Sequence, residues 1–72
     1  MSPETVQQML HRQPFEPFEV RLSNGELHQV RHPENALVSR TRLVVVYPDS
    51  ETDRMVICDL NHVNAIEFVR NT

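Results

Sequence analysis

Four histidines, one cysteine and a run of three carboxylates are the side chains of this sequence with the most chemistry to offer. Imidazole and thiolate are the usual zinc ligands, and four of them must converge on one ion. His28 and His32 share a face of one extended stretch, but four residues of strand separate them by about 13 Å. His11 and His62 lie far off in sequence, and Cys58 has no second cysteine beside it, so no close-spaced ligand pair exists. Surface or corner histidines, and no metal, are the expectation. Asp49-Ser50-Glu51-Thr52-Asp53 opens like a calcium loop, yet no glycine follows Asp53 and Leu60 stands where the bidentate glutamate belongs. A solvated hairpin tip accounts for it. Cys58, between Ile57 and Asp59, reads as a small buried hydrophobe in a reducing compartment.

Nucleophiles fare no better. Ser23, Ser39 and Ser50 lack a Gly-x-Ser-x-Gly setting, and the single glycine, Gly25, excludes a Gly-rich phosphate loop. The residue types allow a paired-carboxylate site, but so short a chain has little with which to wall off a pocket. No catalytic residue and no cofactor is expected. Arg40-Thr41-Arg42 is the one basic cluster. It could grip a phosphate, but it reads better as a solvated rim opposite Glu19 or Glu67. A net charge of -3 also disfavours RNA, whose capture needs an excess of cations.

The elements that must position these groups follow from periodicity. Ser2 is a good N-cap, Pro3 suits the first helical position, and Glu4 meets the positive end of the dipole. Val6, Met9 and Leu10 make one apolar stripe, which predicts a helix over about residues 3–12. Pro14 and Pro17 force an extended segment, whose Phe15 and Phe18 anchor the helix. Phe18, Val20 and Leu22 then alternate with polar residues as a strand, and Asn24-Gly25 predicts a hairpin, because both of these residues tolerate positive φ. Leu27 to Arg31 returns. His32-Pro33-Glu34-Asn35 is a corner, Ala36 to Ser39 starts a third strand, and Leu43-Val44-Val45-Val46-Tyr47 is a β-branched run. Met55 to Asp59 is the next strand, Leu60 to Val63 a tight turn, and Ala65 to Val69 the last.

One helix and five short strands, over about residues 18–69, predict a mainly β single domain spanning residues 1–72. The expected architecture is a small, partly open barrel of the Sm-like or Src-homology-3-like kind. Its core is thin, since a domain of this size buries only about 60% of its unfolded surface. The run Leu43–Tyr47 has no polar face, so both of its sides must be covered. The stripe of Val6, Met9 and Leu10 could cover Val44 and Val46; otherwise a subunit or partner must. The start Met1-Ser2-Pro3-Glu4 has no signal-peptide character and no apolar run is long enough to span a bilayer, so cytoplasmic residence without a membrane partner is expected.

Several stretches carry a resemblance: Pro14-Phe15-Glu16-Pro17-Phe18-Glu19-Val20, Asn24-Gly25, Val30-Arg31-His32-Pro33-Glu34 and Asp59-Leu60-Asn61-His62-Val63-Asn64-Ala65-Ile66-Glu67. Together they resemble a group of short bacterial proteins with a Pro-Phe-x-Pro-Phe opening, a His-Pro-Glu corner and a closing Asp-Leu-x-His-Ile-x-x-Ile-Glu segment. That resemblance implies no activity. Leu22-Ser23-Asn24-Gly25 and Asn35-Ala36-Leu37-Val38 are similar to pieces of the first motif of Sm-like barrels, which assemble into RNA-binding rings. The interval from Gly25 to Asn35 is shorter than that motif's, and Ile57-Cys58-Asp59 lacks the glycine of the second.

Two functions are expected from these residues. The first is a non-catalytic protein-interaction module or small oligomer subunit, with Val44, Val46, Arg40 and Arg42 as its face and pairing through edge strands flanking Arg40–Tyr47 and Met55–Asp59. Its partner is another protein or a second copy. The second is an Sm-like RNA binder using Arg31, His32, Arg40 and Arg42.

Overall fold

A computed structural model describes residues 1–48 and 54–69. The carboxylate run at 49–53 lies outside the described residues. The helix α1 spans Pro3–Leu10, and its Ser2 cap accepts a hydrogen bond from the Thr5 backbone N–H at 3.3 Å. It ends two residues before the expected limit, at a His11 whose N–H still bonds to the Gln7 carbonyl. Val6 and Leu10 are buried, and Met9 packs against the same core.

Six strands follow among the described residues: β1 (Phe18–Leu22), β2 (Leu27–Val30), β3 (Ala36–Val38), β4 (Arg42–Tyr47), β5 (Arg54–Asp59) and β6 (Val63–Phe68). They form two antiparallel three-stranded sheets, in the orders β2-β1-β6 and β3-β4-β5. The mainly β class with one helix is as expected; the count of five strands and the barrel are not. The difference in count arises at Ser39. There the strand opened by Ala36 reverses: Ser39 Oγ accepts from the Thr41 and Arg42 N–H groups at 3.4 and 3.1 Å, and the Ser39 N–H donates to the Arg42 carbonyl at 2.9 Å. A serine hydroxyl that takes up backbone donors makes a turn where a continuous strand would have passed. The chain therefore folds back on itself and adds a sixth strand; separately, no strand ladder among the described residues joins one sheet to the other, so they do not close into a barrel.

The Asn24-Gly25 hairpin is present, with different geometry. Leu22 N–H donates to the Glu26 carbonyl, so the loop holds three residues, Ser23, Asn24 and Gly25. Only Gly25 has positive φ, at 90°. Asn24 stays on the ordinary side because its side chain accepts from the Glu26 N–H at 2.9 Å, in the common three-residue form with glycine at the left-handed position. Corners at Pro33–Asn35 and Leu60–His62 are single 3-10 turns, the second capped by the Asp59 carboxylate on the Asn61 N–H at 2.9 Å. Between β1 and β6 the register slips by one residue, since Arg21 faces Ala65 and Leu22 faces Val63.

Both sheets turn one face to a shared core. Phe18, Val20, Leu22, Val30 and Val63 enter it from the first sheet, and Ala36, Leu43, Val45 and Cys58 from the second. The helix supplies Val6 and Leu10, so its stripe lies on the same side of the second sheet as Leu43 and Val45. Alternation along β4 places Val44 and Val46 on the opposite side. The helix does not cover them.

Candidate functional site: the outer face of the second sheet

The register of the second sheet assembles its outer face residue by residue. Leu37 stands opposite Val44, and Val44 opposite Ile57, which makes an apolar row across all three strands. Val46 stands opposite Met55 in the next row. Leu37, Ile57 and Met55 are 69%, 63% and 60% exposed, while Val44 and Val46 are half-buried between them. β4 is the central strand, and the two strands that flank it, β3 and β5, are the edges of this sheet; Met55–Asp59 thus lies on an edge itself.

One end of the face is polar. Arg42 stands opposite Asp59, and their side chains pair at 3.6 Å. The expected partners Glu19 and Glu67 belong to the first sheet, where they face each other on its outer side. Arg40 is exposed in the bend between β3 and β4, outside the apolar rows. The other end opens into a hollow of about 210 Å³ lined by Gln29, Arg31, His32, Asn35, Val46 and Tyr47. There Arg31 donates to Gln29 Oε1 at 2.7 Å, with no carboxylate partner among the described residues. Arg31 and His32 thus lie at the Tyr47 end of β4, and Arg42 begins its other end. Five strand steps, about 17 Å, separate the two ends, so the four proposed nucleic-acid contacts do not form one patch.

The outer side of the first sheet differs in kind. Glu19, Gln29 and Glu67 share one row, and Arg21, Leu27 and Ala65 the next. Glu19 accepts a hydrogen bond from Gln29 Nε2 at 3.4 Å. Ordinary solvated strands carry such a mixture.

Three of the five apolar face residues, Leu37, Met55 and Ile57, were not singled out by sequence. The signal was there: Met55-Val56-Ile57-Cys58 has no polar face either, just as Leu43–Tyr47 has none.

Between the sheets lies a polar cluster. His28 is buried, against the surface or corner position expected for it, because strand alternation turns it inward with Val30. Its Nδ1 lies 2.7 Å from Tyr47 Oη and its Nε2 3.1 Å from Glu26 Oε2, so both ring nitrogens are satisfied. Burial raises the Tyr47 pKa, opposed by a hydrogen bond from the Gln29 backbone and by the Arg54 guanidinium, which stacks 5.4 Å from the ring centre. Burial, and then the Glu26 carboxylate, also push the Cys58 thiol up, which keeps it protonated and unreactive at neutral pH.

Ser23 Oγ meets His62 Nδ1 at 3.1 Å beside a second hollow lined by Glu26, Cys58 and Asp59. Both residues are exposed, and no third side chain among the described residues bonds to the imidazole, so nothing orients it as a base. No group of three or more metal-ligating side chains occurs among the described residues, and none of their helices is long and apolar enough to cross a membrane. Comparison with family models, with curated proteins and with solved structures gave no match.

Proposed function

We propose that this protein is a non-catalytic protein-interaction module, and that the outer face of the second sheet, built from Leu37, Val44, Val46, Met55 and Ile57, is its contact surface. The supporting observation is the contrast between the two outer faces: one mixes charge with polar groups, and the other is apolar across three strands. A few hundred Å² of contiguous apolar surface is the scale at which patches on small proteins serve binding. The Arg42–Asp59 pair forms the polar rim that such a surface needs.

The test compares a Leu37→Lys/Ile57→Lys double variant with Arg21→Ala on the polar sheet. Native masses are measured for the purified chain and for its complexes in cell extract. Loss of complexes in the double variant and their retention in Arg21→Ala are expected. Complexes that all survive the double variant would overturn the reading.

An RNA contact through Arg31, His32, Arg40 and Arg42 is the weaker reading; what favours it is the Arg31 guanidinium beside His32, which has no carboxylate partner among the described residues. Oligonucleotide binding that falls steeply with salt would support it, and no binding at low salt would remove it.

A further inference from the structure

We infer that the free edge of β5 takes up an extended segment of a partner protein as an added strand, one that alternates apolar and basic side chains. The inference rests on the interaction-module reading above and names the class of its partner.

The hydrogen-bond register leaves one row of backbone groups on this edge unused. Ser39 N–H donates to the Arg42 carbonyl across the turn between β3 and β4, and Leu60 N–H donates to the Thr41 carbonyl beyond the end of β5. Alternation along antiparallel ladders then directs the groups of Arg42 and Val44 to β3, and those of Leu43 and Val45 to β5. Their partners Cys58 and Val56 point back at β4, so Met55 and Ile57 turn N–H and C=O outward. No hydrogen bond among the described residues reaches those groups. Such a row is what an added strand pairs with.

The four sheet edges differ in how far they are protected. β3 is three residues long with α1 packed beside it, and β2 is four residues long. β6 carries Asn64 and Glu67, and the Arg12 guanidinium lies 5.0 Å from the Phe68 ring at its end. Short length, charge and a cover are the means by which sheets keep other strands off their edges. From Met55 to Cys58, β5 has none of them.

Charge and alternation define the segment that fits. A hollow of about 210 Å³ runs along the edge: four consecutive residues of β5, Val56 to Asp59, line it, with Ser23 and Glu26 of the first hairpin among those opposite. Side chains on one side of an added strand enter this hollow, and those on the other side extend the apolar row of Leu37, Val44 and Ile57. Two carboxylates, Glu26 and Asp59, line the hollow, and no arginine or lysine does. Arg42 pairs with Asp59, whereas the partner of Glu26 among the described residues is the His28 imidazole. The Glu26 charge is felt at the edge itself: after burial, it is the second cause that pushes the Cys58 thiol up. A basic side chain complements this lining. A second copy of the chain, at -3, brings more negative charge to it.

The experiment titrates the full chain with two short labelled peptides, one alternating valine with lysine and its twin alternating valine with glutamate. Fluorescence anisotropy reads affinity, and amide hydrogen exchange reads where the peptide lies. The lysine peptide should bind at least about tenfold more tightly than its twin and should slow exchange at the Met55 and Ile57 amides. Glu26→Gln, which can still accept from His28, should narrow that gap. Ile57→Pro deletes an outward N–H and no bond to β4, and should weaken binding about fivefold or more; Ile57→Thr keeps the N–H and the affinity. The peptide pair and the exchange readout need no variant to fold. A lysine peptide that fails to bind, binds no better than its twin, or leaves both amides exchanging as before overturns the inference. So does a peptide-free chain that sediments as a dimer with those amides already protected, which puts a second copy on the edge. Complexes in extract that are lost on Leu37→Lys/Ile57→Lys but kept in Ile57→Pro leave the face standing as a contact surface and remove the edge.

Discussion

At the scale of single residues, the Tyr47–His28–Glu26 chain is the polar point of the interior most sensitive to the loss of one partner. A buried imidazole with both nitrogens bonded contributes only modestly, but leaving one unsatisfied costs about 1–3 kcal/mol. Tyr47→Phe removes the hydroxyl that faces Nδ1 and keeps the ring, so urea denaturation should show a loss in that range. The same residues set an alkaline limit. Tyr47 and Cys58 both have folded pKa values above their ordinary values of 10.0 and 9.0. The folded state therefore holds their protons more tightly than the unfolded chain does. Their contribution is fully present below pH 9, and it is lost as pH rises through the folded pKa values. Unfolding followed against pH should be insensitive to these groups near neutrality and show falling stability above pH 9, with Cys58→Ala removing the earlier part of the decline. In native protein the thiol should resist alkylation until denaturant is added.

At the scale of elements, the strands separate into residues that hold the fold and residues that merely decorate it. Leu43 and Val45 are fully buried on the inner side of β4. Leu43→Ala should cost about 2–5 kcal/mol, most of the stability of about 5 kcal/mol that a chain this size has to lose. Leu37→Ser, on the outer side of the neighbouring strand, should change the stability of the isolated chain by less than about 0.5 kcal/mol. Chemical denaturation of the two variants, below any concentration at which chains associate, checks the contrast. The first hairpin offers a cleaner test of backbone alone. A Cβ on Gly25 would touch nothing within 4 Å, but φ of +90° is strained for any L side chain. Gly25→Ala should therefore cost about 1 kcal/mol, and Gly25→Asn less, because asparagine tolerates that region better.

At the scale of the whole molecule, the sequence disclosed periods and hid handoffs. Phe18-Glu19-Val20-Arg21-Leu22 and its return strand were legible because one face is buried and one is wet. Val44 and Val46 were legible as residues in need of a cover, and the helix stripe was one of the two covers open to them. What the sequence could not disclose was which side of the sheet the helix joins, since that depends on contacts between α1 and β3, which lie at least 26 positions apart. The Ser39 reversal was hidden for a different reason: a serine that takes up backbone N–H groups looks like any strand-end serine until its neighbours are placed. His28 was misplaced because its polarity outweighed its position in an alternating strand.

The order of strands in the first sheet has a consequence in time. β1 is flanked by β2, which follows it after one short loop, and by β6, which begins only at Val63. Synthesis at about 5–20 residues per second leaves β1 waiting on the order of several seconds for its last neighbour. The second sheet has no such wait, because β3, β4 and β5 pair with their immediate successors and can close as they emerge. A newborn chain is thus expected to carry a finished sheet and an unfinished one side by side. Its most vulnerable moment is the interval in which the flank of β1 is open to another nascent chain on the same message.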